Sequence, residues 1–191
     1  MAVILQSLSR TVIAGLVLTV LVFLFIGNTT MDMVFWNFLF KLLHVISGIM
    51  WIGLLWYFNF VQIPNMPNIP DDQKPAISKV IAPAALFWFR WGAMATIITG
   101  LIVAMLSGYL IDAITLSGNG KIIGIGMWLG AIMWFNVWFV IWPNQKKALG
   151  IVEVDADAKA SAARTAMLFS RTNTLLSIPM LFCMVAQQNF V

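Results

Sequence analysis

"KLLHVISGIMWIGLLWYFNF", residues 41–60, decides how the chain is read. It is almost wholly apolar, yet carries a lysine and the only histidine of the protein within one helical turn. A soluble core strand or helix of this length would alternate or show a polar face; a run this long and this greasy reads as a membrane-crossing helix. The imidazole is then an ionisable group in hydrocarbon, which by default faces the interior of a helix bundle and finds a partner there.

The rest of the chain agrees with a membrane setting. Of 191 residues 61% are hydrophobic and only 9% charged, and the mean hydropathy is +0.93. Hydrocarbon about 30 Å thick takes ~20 residues per crossing. The expected architecture is therefore all-α, a single membrane domain (1–191) with about five crossings near 9–27, 35–61, 86–110, 122–142 and 170–188. Alternating ten-residue strands of a β-barrel are absent from the pattern. The first run is read as a retained span rather than a cleaved leader, because no small-x-small site follows it. Asn28, Thr29 and Thr30 end that span. The four prolines of "QIPNMPNIPDDQKP" predict that helix stops there, and "AISKVIAPAALF" is expected to lie along the interface. The alanine-rich stretch from Val154, acidic first and basic later, predicts an amphipathic interfacial helix leading into the last span.

Charge sets the expected orientation. With these spans, Arg10, Lys74, Lys79, Arg90, Lys146, Lys147, Lys159, Arg164 and Arg171 fall on one side and only Lys41 and Lys121 on the other. Basic loops resist translocation, so the N-terminus is expected in the cytoplasm and the C-terminus in the periplasm of a bacterial inner membrane. The formal net charge of +4 flanks apolar runs, so lipid headgroups are the expected counterions and no nucleic-acid partner is expected.

An internal echo is visible. "MWIGLLWYFNF" (50–60) aligns without gaps on "MWLGAIMWFNV" (127–137), and each copy then reaches a Pro-Asn pair, at Pro64 and Pro143. The second and fourth spans thus look like parallel repeats. The offset matches Asn59 with Asn136 and carries His44 onto Lys121.

Candidate chemistry centres on His44. Lys41, His44, Gly48, Trp51 and Leu55 share one helical stripe, and Gly48 leaves a bare patch one turn below the ring. A flat macrocycle fits such a patch, and neutral imidazole is a common axial ligand of haem iron. Three readings stay open for His44: a hydrogen bond to a neighbouring helix, ligation of a haem or pigment, and proton transfer. One histidine excludes bis-histidine ligation within a monomer; a second ligand would be a methionine, Lys121, water or a residue of another subunit. Lys41 and Lys121 read as snorkelling cations or as a positive site for an anion, with Asp112 a possible partner for either. Arg90, between Trp88 and Trp91, reads as an anchor that uses cation–ring contacts or as part of a ligand site. Asn59 and Asn136 read as interhelical hydrogen-bonding groups. A single cysteine, Cys183, and the lack of HExxH, phosphate-loop, nucleophile-elbow and CxxCH patterns argue against hydrolase chemistry and covalently attached haem.

"HVISGIMWIGLLWYFNFVQIP" (44–64), "FWFRWGAMATIITG" (87–100) and "MWFNVWFVIWPNQKK" (133–147) together resemble the membrane domain of the bacterial membrane-bound urate hydroxylases, the urate oxidase N-terminal family. The stretches cover about a quarter of the chain, and their order extends the likeness over most of it. The resemblance implies a helical membrane domain, urate oxidation, and electrons passed to a cytochrome c domain that follows the spans outside the membrane. This sequence has about five spans against roughly eight and no cytochrome c motif, so a separate periplasmic cytochrome c is the implied partner. Among the shared motif positions, His44, Arg90, Asn136 and Trp138 carry chemical potential. The alternative reading is a non-catalytic accessory subunit of a larger respiratory or photosynthetic complex.

Overall fold

A computed structural model describes residues 2–27 and 30–190. Among the described residues every regular element is helical, and five helices are long and apolar enough to cross a membrane: Leu8–Ile26, Met33–Asn68, Lys74–Leu106, Gly118–Ala148 and Ala156–Ala186. Asn28 and Thr29, expected to end the first span, lie outside the described residues; the helix closes at Gly27, whose left-handed backbone (φ 77°) suits a residue without a Cβ.

The chain divides into two compact units, Met1–Trp36 and Asn37–Val191. In the first, the helix Leu8–Ile26 has no buried residue, and Phe23 and Phe35 meet at 5.5 Å between ring centroids. The second unit holds the core, where Trp51, Leu55, Phe89, Met133, Val137 and Ile141 are almost fully enclosed.

Helix continues through proline where the sequence predicts a stop. The second span runs on past Pro64 to Asn68. "AISKVIAPAALF" is likewise not a separate interfacial segment but part of the third span. One construction explains this and occurs three times: a π-helical segment (Tyr57–Gln62, Ile77–Ile81, Asn136–Ile141) precedes a fresh α-helical segment with proline (Pro64, Pro83, Pro143) in its first turn. A proline lacks an N–H and clashes with the carbonyl four residues earlier. The wider π turn shifts the hydrogen-bond register just upstream, and a first-turn position tolerates the missing donor. Asn65 and Asn144 then donate side-chain amides to the carbonyls of Val61 (2.7 Å) and Val140 (2.8 Å). The sequence echo is thus also a structural one at this end of the second and fourth spans.

The amphipathic stretch and the last span form one unbroken helix, Ala156–Ala186, opened by Asp155, whose carboxylate accepts from the Ala158 amide at 2.7 Å. No separate interfacial helix exists there because its small face does not end at the span. Ala162, Ala166, Ser170, Asn173, Ser177 and Met180 make one buried stripe. That stripe reads both repeat helices. Asn59 donates to Ser170 Oγ (2.8 Å), Asn136 to Asn173 Oδ1 (2.9 Å), and Trp56 Nε1 to Ser177 Oγ (3.0 Å). Asn173 in turn donates to the Met133 carbonyl at 2.9 Å. At the far end Gln187 accepts from the Ile123 amide (2.9 Å) and donates to the Asn119 carbonyl (2.8 Å), so the fifth span serves the open N-terminus of the fourth.

Candidate functional site

The second and third spans meet through a register of large against small. On the third span Gly92, Thr96 and Gly100 follow one another at four-residue spacing, the small-residue stripe that lets helix backbones approach in a membrane. Across from them stand Trp51, Gly48 and His44. A Cβ on Gly92 would meet the Trp51 amide nitrogen at 3.3 Å, one on Gly48 would touch Thr96 Cγ2 at 4.0 Å, and one on Gly100 would stand 2.8 Å from His44 Cε1. Gly100 therefore makes the room that the imidazole occupies.

His44 is turned inward and held. Its Nδ1 lies 2.9 Å from the Thr96 carbonyl oxygen. A carbonyl only accepts, so Nδ1 carries the proton, and the neutral ring offers Nε2 as its lone-pair nitrogen. Thr99 Oγ1, 3.3 Å from the same Nδ1, spends its own proton on the Ala95 carbonyl at 2.6 Å. Among the described residues Nε2 has no hydrogen-bond partner. A histidine that donates one N–H to a backbone carbonyl and keeps the other nitrogen free has the arrangement found in metal-ligating histidines. Of the three readings, the interhelical hydrogen bond is present, and it leaves ligation by Nε2 open.

Two cavities adjoin the ring, one of about 250 Å³ and one of about 650 Å³. Both are bordered by His44, Trp51, Thr96, Gly100, Met127, Met180 and Met184. Lys41, Gly48 and Tyr109 line only the larger one, whose volume lies within the roughly 300–1,000 Å³ of small-molecule sites. The structure thus brings together Lys41, His44, Gly48 and Trp51. Lys121 is not among the lining residues: it opens the first turn of the fourth span, exposed, whereas His44 is in mid-helix. The echo between the spans accordingly does not reach the His44/Lys121 position. Asp112 pairs with neither lysine; its carboxylate takes the Ser117 hydroxyl at 3.5 Å, and the only ion pair among the described residues joins Asp71 to Lys74 at 2.6 Å.

Thr96, Gly100, Tyr109 and the three methionines are site residues that the sequence reading misses. The Gly92-Thr96-Gly100 spacing was a usable signal for the first two. Nothing local marks Met127, Met180 and Met184, because helices distant in sequence bring them together. Burial pushes the Tyr109 hydroxyl above its ordinary value.

The remaining candidates gather toward the opposite end. Arg90 stacks on the Trp142 ring, its Cζ 3.3 Å from the ring centroid, rather than on its neighbours Trp88 and Trp91. Trp91 meets Trp138 edge to face at 5.5 Å, and Phe89 meets Phe58 at 5.7 Å. Asn59 and Asn136 are the interhelical hydrogen-bonding groups expected of them.

No group of three or more histidine, cysteine or acidic side chains that could hold a metal ion occurs among the described residues. A prosthetic group carrying its own metal needs only one or two donors from the protein. No curated protein and no solved structure matches the chain. Residues 102–190, holding the end of the third span and all of the fourth and fifth, match the model of the urate oxidase N-terminal family, the same family that the three motifs resemble.

Proposed function

We propose that this chain is a redox-associated protein of the bacterial inner membrane, akin to the membrane domain of urate hydroxylase, which holds a b-type haem through His44 and exchanges electrons with a separate periplasmic cytochrome c. The observation that carries this reading is the pairing of a tautomer set by the Thr96 carbonyl with a largely apolar 650 Å³ cavity beside the same ring. His44 Nε2 would hold the haem iron. Met127, Met180 and Met184 supply thioethers around the cavity, the donor type that joins histidine in many cytochromes. Gly48 and Gly100 keep side-chain bulk away from the ring's surroundings, Trp51 forms an aromatic wall, and Lys41 places a cation for a carboxylate substituent. When bound, the haem supplies one-electron transfer; the chain's own part is to fix the imidazole, exclude water and set the polarity. The orientation follows from the basic residues: N-terminus in the cytoplasm, C-terminus and the His44 end in the periplasm.

The test is a visible spectrum of protein expressed with ample haem. A Soret band is expected, absent in His44→Ala and retained in Lys121→Ala. Colourless wild-type protein, or an unchanged band in His44→Ala, would sink the proposal.

A second reading, an accessory subunit of a larger respiratory or photosynthetic complex, is supported by the abundance of tryptophan and phenylalanine and by the scarcity of charged side chains, 9% of the chain. Copurification with a multisubunit complex after mild solubilisation would favour it.

A further inference from the structure

We infer that the end of the second unit opposite His44 binds the phosphate of an anionic membrane lipid, through Arg90 and Lys146 set around the indole of Trp142. Arg90 lies ten residues before Gly100 on the third span, about 15 Å along the helix at the usual rise. It is therefore well removed from the imidazole.

Two of the three motif stretches quoted above meet here. "FWFRWGAM" contributes Arg90 and Trp91; "MWFNVWFVIWPNQKK" contributes Trp138, Trp142 and Lys146. The Arg90 Cζ lies 3.3 Å from the Trp142 centroid and the Lys146 Nζ 5.7 Å from it. Two cations thus share one indole, and no carboxylate lies within ion-pairing reach of either among the described residues. Arg90 Nη1 is closed off without a hydrogen-bond partner. A guanidinium left in that condition draws an acceptor to its remaining edge, and like charges around one ring are held apart at a cost that a bridging anion removes.

The surroundings select a lipid over a soluble anion. Beside Arg90, Phe87, Trp88 and Trp91 are each about half exposed, and the Phe87 ring meets those of Trp88 and Trp91 at centroid separations of 5.7 and 6.4 Å. Exposed indoles and phenyl rings next to cations are what a headgroup and its acyl chains meet at an interface. Lys147, one residue on, adds a further exposed positive charge.

The proposal is tested on purified full-length chain in detergent, titrated with phosphatidylglycerol, phosphatidylcholine or inorganic phosphate, with binding read by native mass spectrometry and by thermal shift. Phosphatidylglycerol is expected to bind in preference to phosphatidylcholine, with inorganic phosphate inert at equal concentration. Arg90→Gln and Lys146→Gln should each weaken phosphatidylglycerol binding about tenfold, the loss of one charge-assisted contact. Lys79→Gln, an exposed cation on the third span outside the cluster, should leave it unchanged. Should Arg90→Gln fail to fold, Lys146→Gln alone decides. Equal binding of both lipids, wild-type affinity in Lys146→Gln, or reproduction of the shift by inorganic phosphate alone would overturn the inference. None of these readouts involves haem, so the result stands apart from the fate of the His44 proposal.

Discussion

At the scale of single residues, the site depends on atoms that are missing as much as on those present. Gly100 has no side chain, and the His44 ring fills the space; adding a methyl 2.8 Å from Cε1 forces the imidazole away from the Thr96 carbonyl. Gly100→Ala is expected to lower stability by about 1–3 kcal/mol, the usual range for overpacking a close contact. Gly53→Ala, with nothing within 4 Å of the added atom, should stay within about 0.5 kcal/mol of wild type. Thermal unfolding of the two variants side by side checks both, and equal melting points would show that the space at Gly100 does not hold the imidazole in place. Tyr109 offers a pH signature outside the spans. Burial favours its neutral phenol, so its folded pKa exceeds the unfolded one. The stability it contributes is complete below the ordinary tyrosine range and is lost as pH rises through the raised value. Above about pH 10, wild-type protein should therefore lose stability more steeply than Tyr109→Phe; parallel curves would show that the burial has no thermodynamic weight.

At the scale of elements, the fifth helix acts as a polar key between two similar helices. Asn173 is fully enclosed and joins Asn136 to the Met133 carbonyl. Replacing it by alanine removes both bonds and leaves the Asn136 amide unpaired. The expected cost is about 0.6–1.7 kcal/mol, from the average to the largest value for a hydrogen bond between membrane helices. Asn173→Ala should thus melt measurably below wild type, while Thr172→Ala, an exposed residue bonded only within its own helix, should not. The three π-helical segments matter at this scale too. Each shifts the register before a proline, and the shift before Pro143 sets the rotational phase at which Trp142 reaches Arg90. Proline periodicity was legible in the sequence, but its consequence was not. Whether proline ends a helix or is absorbed depends on a carbonyl one turn upstream, and local composition does not say which.

At the scale of the whole molecule, the charge asymmetry predicts which ends face which compartment. Cys183, the only cysteine, is buried, so single cysteines placed on the surface report cleanly. Lys121→Cys should react with a membrane-impermeant maleimide on intact spheroplasts, and Lys147→Cys only after the membrane is opened. The reverse pattern would invert the orientation and move the His44 site to the cytoplasmic half.

Composition and hydropathic run length by themselves determined that this is an all-α chain with five membrane-length helices, because a helix that meets hydrocarbon must be apolar over its own contiguous residues. The His44 stripe with Gly48 and Trp51, and the matched Asn59 and Asn136, were readable for the same reason: they recur at helical spacing within one element or its echo. Only the tertiary structure decided that Gly100 and Thr96 receive the imidazole, that Met127, Met180 and Met184 share its cavity while Lys121 does not, and that Arg90 rests on Trp142. Those are contacts between helices distant in the chain. In a bundle whose exteriors are uniformly greasy, hydropathy cannot say which face meets which; the close fit of small residues against large ones and a few buried hydrogen bonds make that choice.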